Sequence, residues 1–229
     1  YADGTVDFSI KLLGISSVSY SDFIGLAGTN IAQDLTFSSV TMQVFGTDGN
    51  DTISGAGSDF TSGHVILGGN GTDTLRITSG VLTLDTDISG VSSIERFELN
   101  SNNAHSLVIG DNYGNARVTT TATTAGITVT SESSVFNRFI EVVGGGSADS
   151  ITGGAGADTI QGGAGADTLN GGTGSNTLVY ANDTVGVEVD LGLATAQSGG
   201  HAAGDIISNF VNLVGGSGSD TLTGTSGDN

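Results

Sequence analysis

The chain contains no cysteine, no proline and no tryptophan, and only five basic residues in 229. Without cysteine there is no disulfide framework and no thiol nucleophile. A secreted domain lacking disulfides can be held together by metal instead. So few basic residues, against 24 acidic ones and a net charge of −19, argue against nucleic acid or an anionic membrane as partner, since both need clustered Lys and Arg. No run of 18 apolar residues is present, so no membrane-inserted helix is expected. The motifs H-E-x-x-H, G-x-S-x-G, G-x-G-x-x-G and the P-loop are missing too, and no catalytic residue is assigned. Residue 1 is Tyr rather than Met, no signal-like segment follows it, and the last residues read GTSGDN. The expectation is an excised part of a longer protein.

What the chain has is glycine, 39 residues of it, more than twice the usual share of about 7%. High charge with much glycine is also a mark of disorder. Here 36% hydrophobic content and period-two alternation point to strands instead. Val6, Phe8, Ile10 and Leu12 alternate, as do Leu82 with Leu84 and Ile127 with Val129.

The glycines recur with a period of nine. Four phrases run in tandem from Gly144 to Val179: GGGSADSIT, GGAGADTIQ, GGAGADTLN and GGTGSNTLV. Looser copies are GTDGNDTIS at 46–54, GGNGTDTLR at 68–76 and GGSGSDTLT at 215–223. Glycine this dense forbids a helix. The Gly-rich half suits a tight turn, and the half carrying Thr-Ile or Thr-Leu suits a very short strand with one side chain inward. Two turns and two strands close a coil of 18 residues, and successive coils stack their strands in parallel. The fold class is therefore all-β, a parallel β-solenoid. Its inward column is expected to hold Ile151, Ile160, Leu169, Leu178 and Leu222.

Stacking places residue n over residue n+18, hence Asp149 over Asp167 and Asp158 over Asn176. Carboxylates brought together out of water repel, so a positive charge belongs between them. Carboxylate and carbonyl oxygens in a flexible glycine turn suit Ca²⁺. The lack of nearby thiols or histidines disfavours zinc and copper. Magnesium demands a stricter octahedral geometry.

The phrase G-G-x-G-x-D-x-U-x, complete at Gly153–Gln161 and Gly162–Asn170, resembles the RTX (repeats-in-toxin) calcium-binding repeat. The resemblance implies a β-roll with several Ca²⁺ ions held by the sixth-position Asp and by turn carbonyls. On this sequence the side-chain ligands would be Asp149, Asp158, Asp167 and the neutral Asn176, with Asp51, Asp73 and Asp220 in the isolated copies. The corresponding turn glycines are Gly144, Gly146, Gly153, Gly154, Gly156, Gly162, Gly163, Gly165, Gly171, Gly172 and Gly174. About five ions at +2 each would remove about half of the net charge.

Between the phrases, Arg76, Arg96, Arg117 and Arg138 are spaced by 20, 21 and 21, each followed by an apolar residue (Ile77, Phe97, Val118, Phe139). This predicts coils of about 21 residues with a stacked arginine column, partly neutralised by Glu95, Glu98 and Glu141. Asp51 and Asp73 would face each other across one such coil. The organisation expected is degenerate longer coils over 1–143, then a β-roll over 144–229 with a loop-bearing coil at 180–214, the whole forming one continuous solenoid. His64, His105 and His201 are isolated and read as surface or loop residues. Carboxylate pairs also suit glycan cleavage, but every well-patterned Asp belongs to a repeat turn.

Segment 68–100 resembles RTX-type surface-layer proteins. That resemblance implies a secreted, calcium-dependent structural module on the surface of a Gram-negative cell, exported by a type I system, with copies of itself or other surface components as partners. Two alternatives are an adhesin segment, for which the Thr-rich stretch 118–130 would supply a flat binding face for glycan or ice, and the calcium-binding tail of an extracellular enzyme.

Overall fold

In the computed structural model, residues 34–36, 43–57, 65–81, 83–84, 91–110, 114–120, 125–132 and 138–226 are described. The alternating residues of segment 6–12, Leu82 and His64 lie outside them. The described residues form twenty short strands, β1 to β20 in chain order, and one 3-10 turn at Gly200–Ala202. Every strand pairing is parallel. Parallel pairing without helical crossovers is the signature of a solenoid, in which each strand hydrogen-bonds the equivalent strand one coil away.

One sheet has nine strands, in the order β1 (Asp34–Thr36), β3 (Thr52–Ala56), β5 (Thr74–Ser79), β8 (Arg96–Leu99), β10 (Ala116–Thr120), β12 (Ile140–Val143), β14 (Thr159–Gln161), β16 (Thr177–Val179) and β19 (Asn212–Val214). A second has six: β18 (Ile206–Ser208), β15 (Thr168–Asn170), β13 (Ser150–Thr152), β11 (Ile127–Ser131), β9 (His105–Ile109) and β6 (Thr83–Leu84). Smaller sheets join β2 (Gln43–Phe45), β4 (Val65–Leu67) and β7 (Val91–Ser92), and β17 (Glu188–Asp190) with β20 (Thr221–Thr223).

The inward residues set the register. In the large sheet Ile53, Leu75, Phe97, Val118, Val142, Ile160 and Leu178 follow one another rung by rung, and each is fully buried. In the second sheet Leu107, Val129, Ile151, Leu169 and Ile207 do the same. Burying each such side chain contributes about 1.5–3 kcal/mol, so slipping the register by one residue would turn a whole column outward. Leu222 departs from the expectation. It sits on β20, paired on one side only with β17, and is 43% exposed.

Coil length varies along the stack. Asp149 to Asp167 and Asp158 to Asn176 are spaced by 18, as the partners Ser150↔Thr168 and Thr159↔Thr177 show. Thr52, Thr74 and Arg96 are spaced by 22, Arg96 and Arg117 by 21, and Ala116 and Ile140 by 24. β12 pairs with both β10 and β14, so strand stacking continues through residues 143–144. After β16 the next partner is 35 residues on, Thr177↔Asn212, because the segment holding β17 and the 3-10 turn is inserted there.

The arginine column does not form as spaced. Leu75 aligns with Phe97, so Arg76 falls opposite Glu98 rather than Arg96 and meets it at 2.7 Å. Arg117 aligns with Arg96 on one side and with Glu141 on the other, 3.2 Å away. Phe139 precedes β12 and is 44% exposed. His105 is also corrected: it lies buried on β9, with Nε2 2.8 Å from Ser101 Oγ, rather than on the surface.

Candidate metal corners

The sixth-position acids end the turns and stand immediately before the strands, where the next coil's carboxylate meets the backbone of the previous one. The Asp149 N–H donates to Asp167 Oδ1 at 2.8 Å, and the Asp158 N–H to Asn176 Oδ1 at 2.9 Å. The Asp51 N–H donates to Asp73 Oδ1 at 2.8 Å. Further rungs are Ile127 N–H to Asp149 Oδ1 and Ile140 N–H to Asp158 Oδ1, both 2.8 Å. One oxygen of Asp73, Asp149, Asp158, Asp167 and Asn176 is thus spent holding coils together, and these five and Asp51 are all buried.

The second oxygen divides the turns into two kinds. In the lower turn of each pair, the second residue caps it: Gly145 N–H reaches Asp149 Oδ2 at 2.8 Å and Gly154 N–H reaches Asp158 Oδ2 at 2.9 Å. Thr47 caps Asp51 in the same way. In the upper turn the second residue is a glycine with positive φ: Gly69 at 104°, Gly163 at 105° and Gly172 at 80°. There the next N–H donates downward instead, Asn70 to the Thr47 carbonyl, Ala164 to the Gly145 carbonyl and Thr173 to the Gly154 carbonyl. Oδ2 of Asp73 and of Asp167 is left buried with no hydrogen-bond partner. In the third pair Asn176 avoids this by donating from Nδ2 to the Asn209 carbonyl at 3.0 Å.

The first-position glycines make room for these oxygens. A Cβ on Gly144, Gly153 or Gly46 would overlap both the carboxylate of its own turn and the carbonyl oxygen of the glycine one coil away, respectively Gly162, Gly171 and Gly68. At Gly68 the same space meets Asp73 Oδ2 and the Ser93 carbonyl. At Gly171 it meets the Asn209 carbonyl and the Asn176 amide, and at Gly162 only the Asp167 carboxyl. The fourth-position glycines Gly165 and Gly174 also have positive φ, whereas a Cβ on Gly156 would strike the Arg138 carbonyl. Gly146 lies at an exposed bend. Asp220 is half-buried away from the main columns, its Oδ1 accepting from Val187 N–H at 3.0 Å.

Burial raises the carboxyl pKa of Asp149 and Asp158 above the ordinary range, against the N–H bonds each accepts. Asp73 is raised by burial and further by the charges of Asp51 and Glu95. Asp167 is pushed up to about 7, first by burial and then by the charges of Asp205 and Asp149, the N–H of Asp149 opposing. Each of these shifts marks an ionised carboxylate short of compensating charge. Among the described residues no three acidic or histidine side chains converge on one point, so any cation held here needs main-chain oxygens as well. Carboxylate and carbonyl oxygens, with buried orphan oxygens at Asp73 and Asp167, are the donor set of a hard divalent cation such as calcium.

Two acids extend the ladders beyond the nonapeptides. Glu95 accepts the Asp73 N–H at 2.8 Å, so it belongs to the acid column and not to the arginines. Asp205 accepts the Asp167 N–H on Oδ1 and the buried Tyr180 hydroxyl on Oδ2, each at 2.8 Å. Burial raises Asp205 and raises the Tyr180 phenol. Asp183 is buried in the inserted segment and accepts N–H bonds from Val185, Gly186 and His201 at 2.6–2.8 Å, which hold its carboxyl below the usual range. The trace of the first two in the sequence is the acid-x-apolar half of the phrase, Glu95-Arg96-Phe97 and Asp205-Ile206-Ile207.

Fold and site together define a parallel β-solenoid whose corners stack acids and carbonyls in the manner of a calcium-binding roll. The model of the RTX calcium-binding nonapeptide repeat matches the chain in four copies, over residues 43–62, 143–178 and 212–229. These segments are RTX calcium-binding repeats, and calcium is the cofactor of such repeats. No curated protein and no solved structure matches the chain. No helix among the described residues is long and apolar enough to cross a membrane.

Proposed function

We propose that this RTX solenoid is a structural module of a secreted bacterial surface protein that folds on meeting calcium and assembles with copies of itself into an extracellular layer. The observation that carries the calcium-dependent half is the pair of buried, unpartnered carboxylate oxygens, Asp73 Oδ2 and Asp167 Oδ2, each within a ladder of stacked acids. The ligand set assigned is Asp149 with Asp167, Asp158 with Asn176, and Asp51 with Asp73, together with the carbonyls of the glycine turns. Asp220 heads a separate, more exposed corner. Calcium, when bound, supplies the positive charge that allows these carboxylates to be ionised and dehydrated at once. The chain's own residues do the rest: backbone N–H groups fix one oxygen of each acid, and the first glycines leave space beside the other. Extracellular modules bind calcium at roughly 10⁻⁴–10⁻³ M, so the chain would remain unfolded where calcium is scarce and wind up outside the cell, binding free energy becoming folding free energy. The surface-layer half is supported by the extended stack of strands and by the sequence resemblance of segment 68–100.

The test is circular dichroism during a calcium titration with a chelator reversal, on the wild type and on Asp167→Asn. The wild type gains β signal on addition of Ca²⁺ and loses it with chelator. Asp167→Asn needs several-fold more calcium, since an anionic ligand is replaced by a neutral one. A wild type already folded in chelator at neutral pH, or an unchanged midpoint in the variant, contradicts the assignment.

A further inference from the structure

The outer face of the six-stranded sheet is a long charge-free strip rich in hydroxyl residues. Its strands turn Leu107, Val129, Ile151 and Leu169 inward, which leaves the flanking residues outward. One outward column runs Ser106, Thr128, Ser150, Thr168, and beside it Thr130 follows into Thr152. The other outward positions of these strands are uncharged too; Glu132 stands one residue beyond β11. In a chain of 24 acidic and five basic residues a strip this long without a charge is a strong departure. The nine-stranded sheet is charged on part of its outer face, with the ion pairs Arg76–Glu98 and Arg117–Glu141 and also Arg96, while its outward positions on β14, β16 and β19 are uncharged but mix Thr with Gln, Asn and Val.

Two copies each carrying −19 repel one another wherever charged surfaces meet. On an uncharged strip that repulsion is small. Hydroxyls both donate and accept hydrogen bonds, so a column of Ser and Thr complements its own image turned by a two-fold axis, as an isologous contact requires. Thr methyl groups and the 49% exposed Ile206 on β18 add apolar contact. We infer that this face is the contact between copies of the chain, the six-stranded sheet of one lying against that of a second. The inference rests on the self-assembly reading above and names its interface. Six strands about 4.8 Å apart give a strip only about 24 Å long, short of the roughly 800 Å² per partner of a stable pair. A single contact is therefore weak, and the assembly draws its strength from repetition.

The experiment is sedimentation velocity in saturating Ca²⁺ over a wide range of protein concentration, with circular dichroism confirming the fold. Thr128→Glu with Thr168→Glu charges the strip, and Thr159→Glu with Thr177→Glu adds the same charge to the nine-stranded sheet. The expected result is association of the wild type and of the second variant at similar concentrations, and at least about tenfold weaker association of the first, because like charges are then opposed across the contact. If all three associate alike, assembly stands and this interface is wrong. If the wild type remains monomeric throughout, the assembly reading itself fails. Wild type held on a neutral polysaccharide column and released by the Thr128/Thr168 exchange, without self-association, overturns the proposal in favour of a glycan. Should that double variant lose its strand signal, Thr128→Lys alone takes its place with the same two opposing outcomes.

Discussion

Asp167 concentrates the electrostatic difficulty of this molecule. One oxygen accepts the Asp149 N–H, the other has no partner, and the side chain is 1% exposed between Asp149 and Asp205. Its carboxyl is pushed up to about 7 from an ordinary 3.8, so the folded, calcium-free chain binds that proton more tightly than the unfolded chain does. The stability this gives is present in full below about pH 4 and is lost as pH rises through about 7. Asp73, Asp149, Asp158 and Asp205 are raised as well and act in the same direction. Asp183, held low by N–H donors, acts oppositely and gives up its contribution only in stronger acid. Circular dichroism in chelator should therefore show strand signal near pH 5 that is lost by pH 7.5, and Asp167→Asn should flatten part of that slope. In saturating calcium the slope should reverse, since protons compete with the metal for the same oxygens. A chelated strand signal that grows steadily from pH 5 to 7.5 would show the carboxylates to be compensated already.

The turn pair is the unit of construction at the next scale. A lower turn caps its acid, and an upper turn, with its second glycine at positive φ, leaves the acid bare. Gly163→Ala tests this directly: φ of 105° is hostile to a side chain, and the new Cβ would strike the Gly145 carbonyl. A loss of at least about 1–3 kcal/mol is expected, read from denaturant unfolding in calcium. Ile160→Ala on β14 should lose about 2–5 kcal/mol by opening the core column. The sequence made these elements legible where glycine and aliphatic residues recur together: Ile151, Ile160, Leu169 and Leu178 are inward, and Asp149 and Asp158 meet Asp167 and Asn176. Legibility stopped where one half of the phrase was altered. Glu95 follows a turn reduced to Ser93 and Ile94, so no glycine announces it. Asp205 follows Gly199-Gly200 with one residue too many. The arginines misled because regular spacing of charges does not fix register. The inward residues do, and matching Leu75 to Phe97 places Arg76 against Glu98. Leu222 fits the phrase yet stays exposed, because burial depends on a neighbouring coil that a nonapeptide cannot specify.

As a whole, the molecule is a stack of short strands that owes its core to the aliphatic columns and its electrostatic difficulty to the acids beside them. The two act on the same residues, since each Asp precedes the strand whose inward side chain it positions. Calcium should therefore affect folding as a whole rather than one loop, with binding and winding coupled along neighbouring coils. Residue-resolved hydrogen exchange at pH 7.5 tests this most directly. The amides of Asp149, Asp158 and Asp167, which donate to the next coil's Asp167, Asn176 and Asp205, should exchange freely in chelator and become strongly protected in calcium, together with those of β13 to β16. Equal protection of these amides with and without calcium would contradict the account.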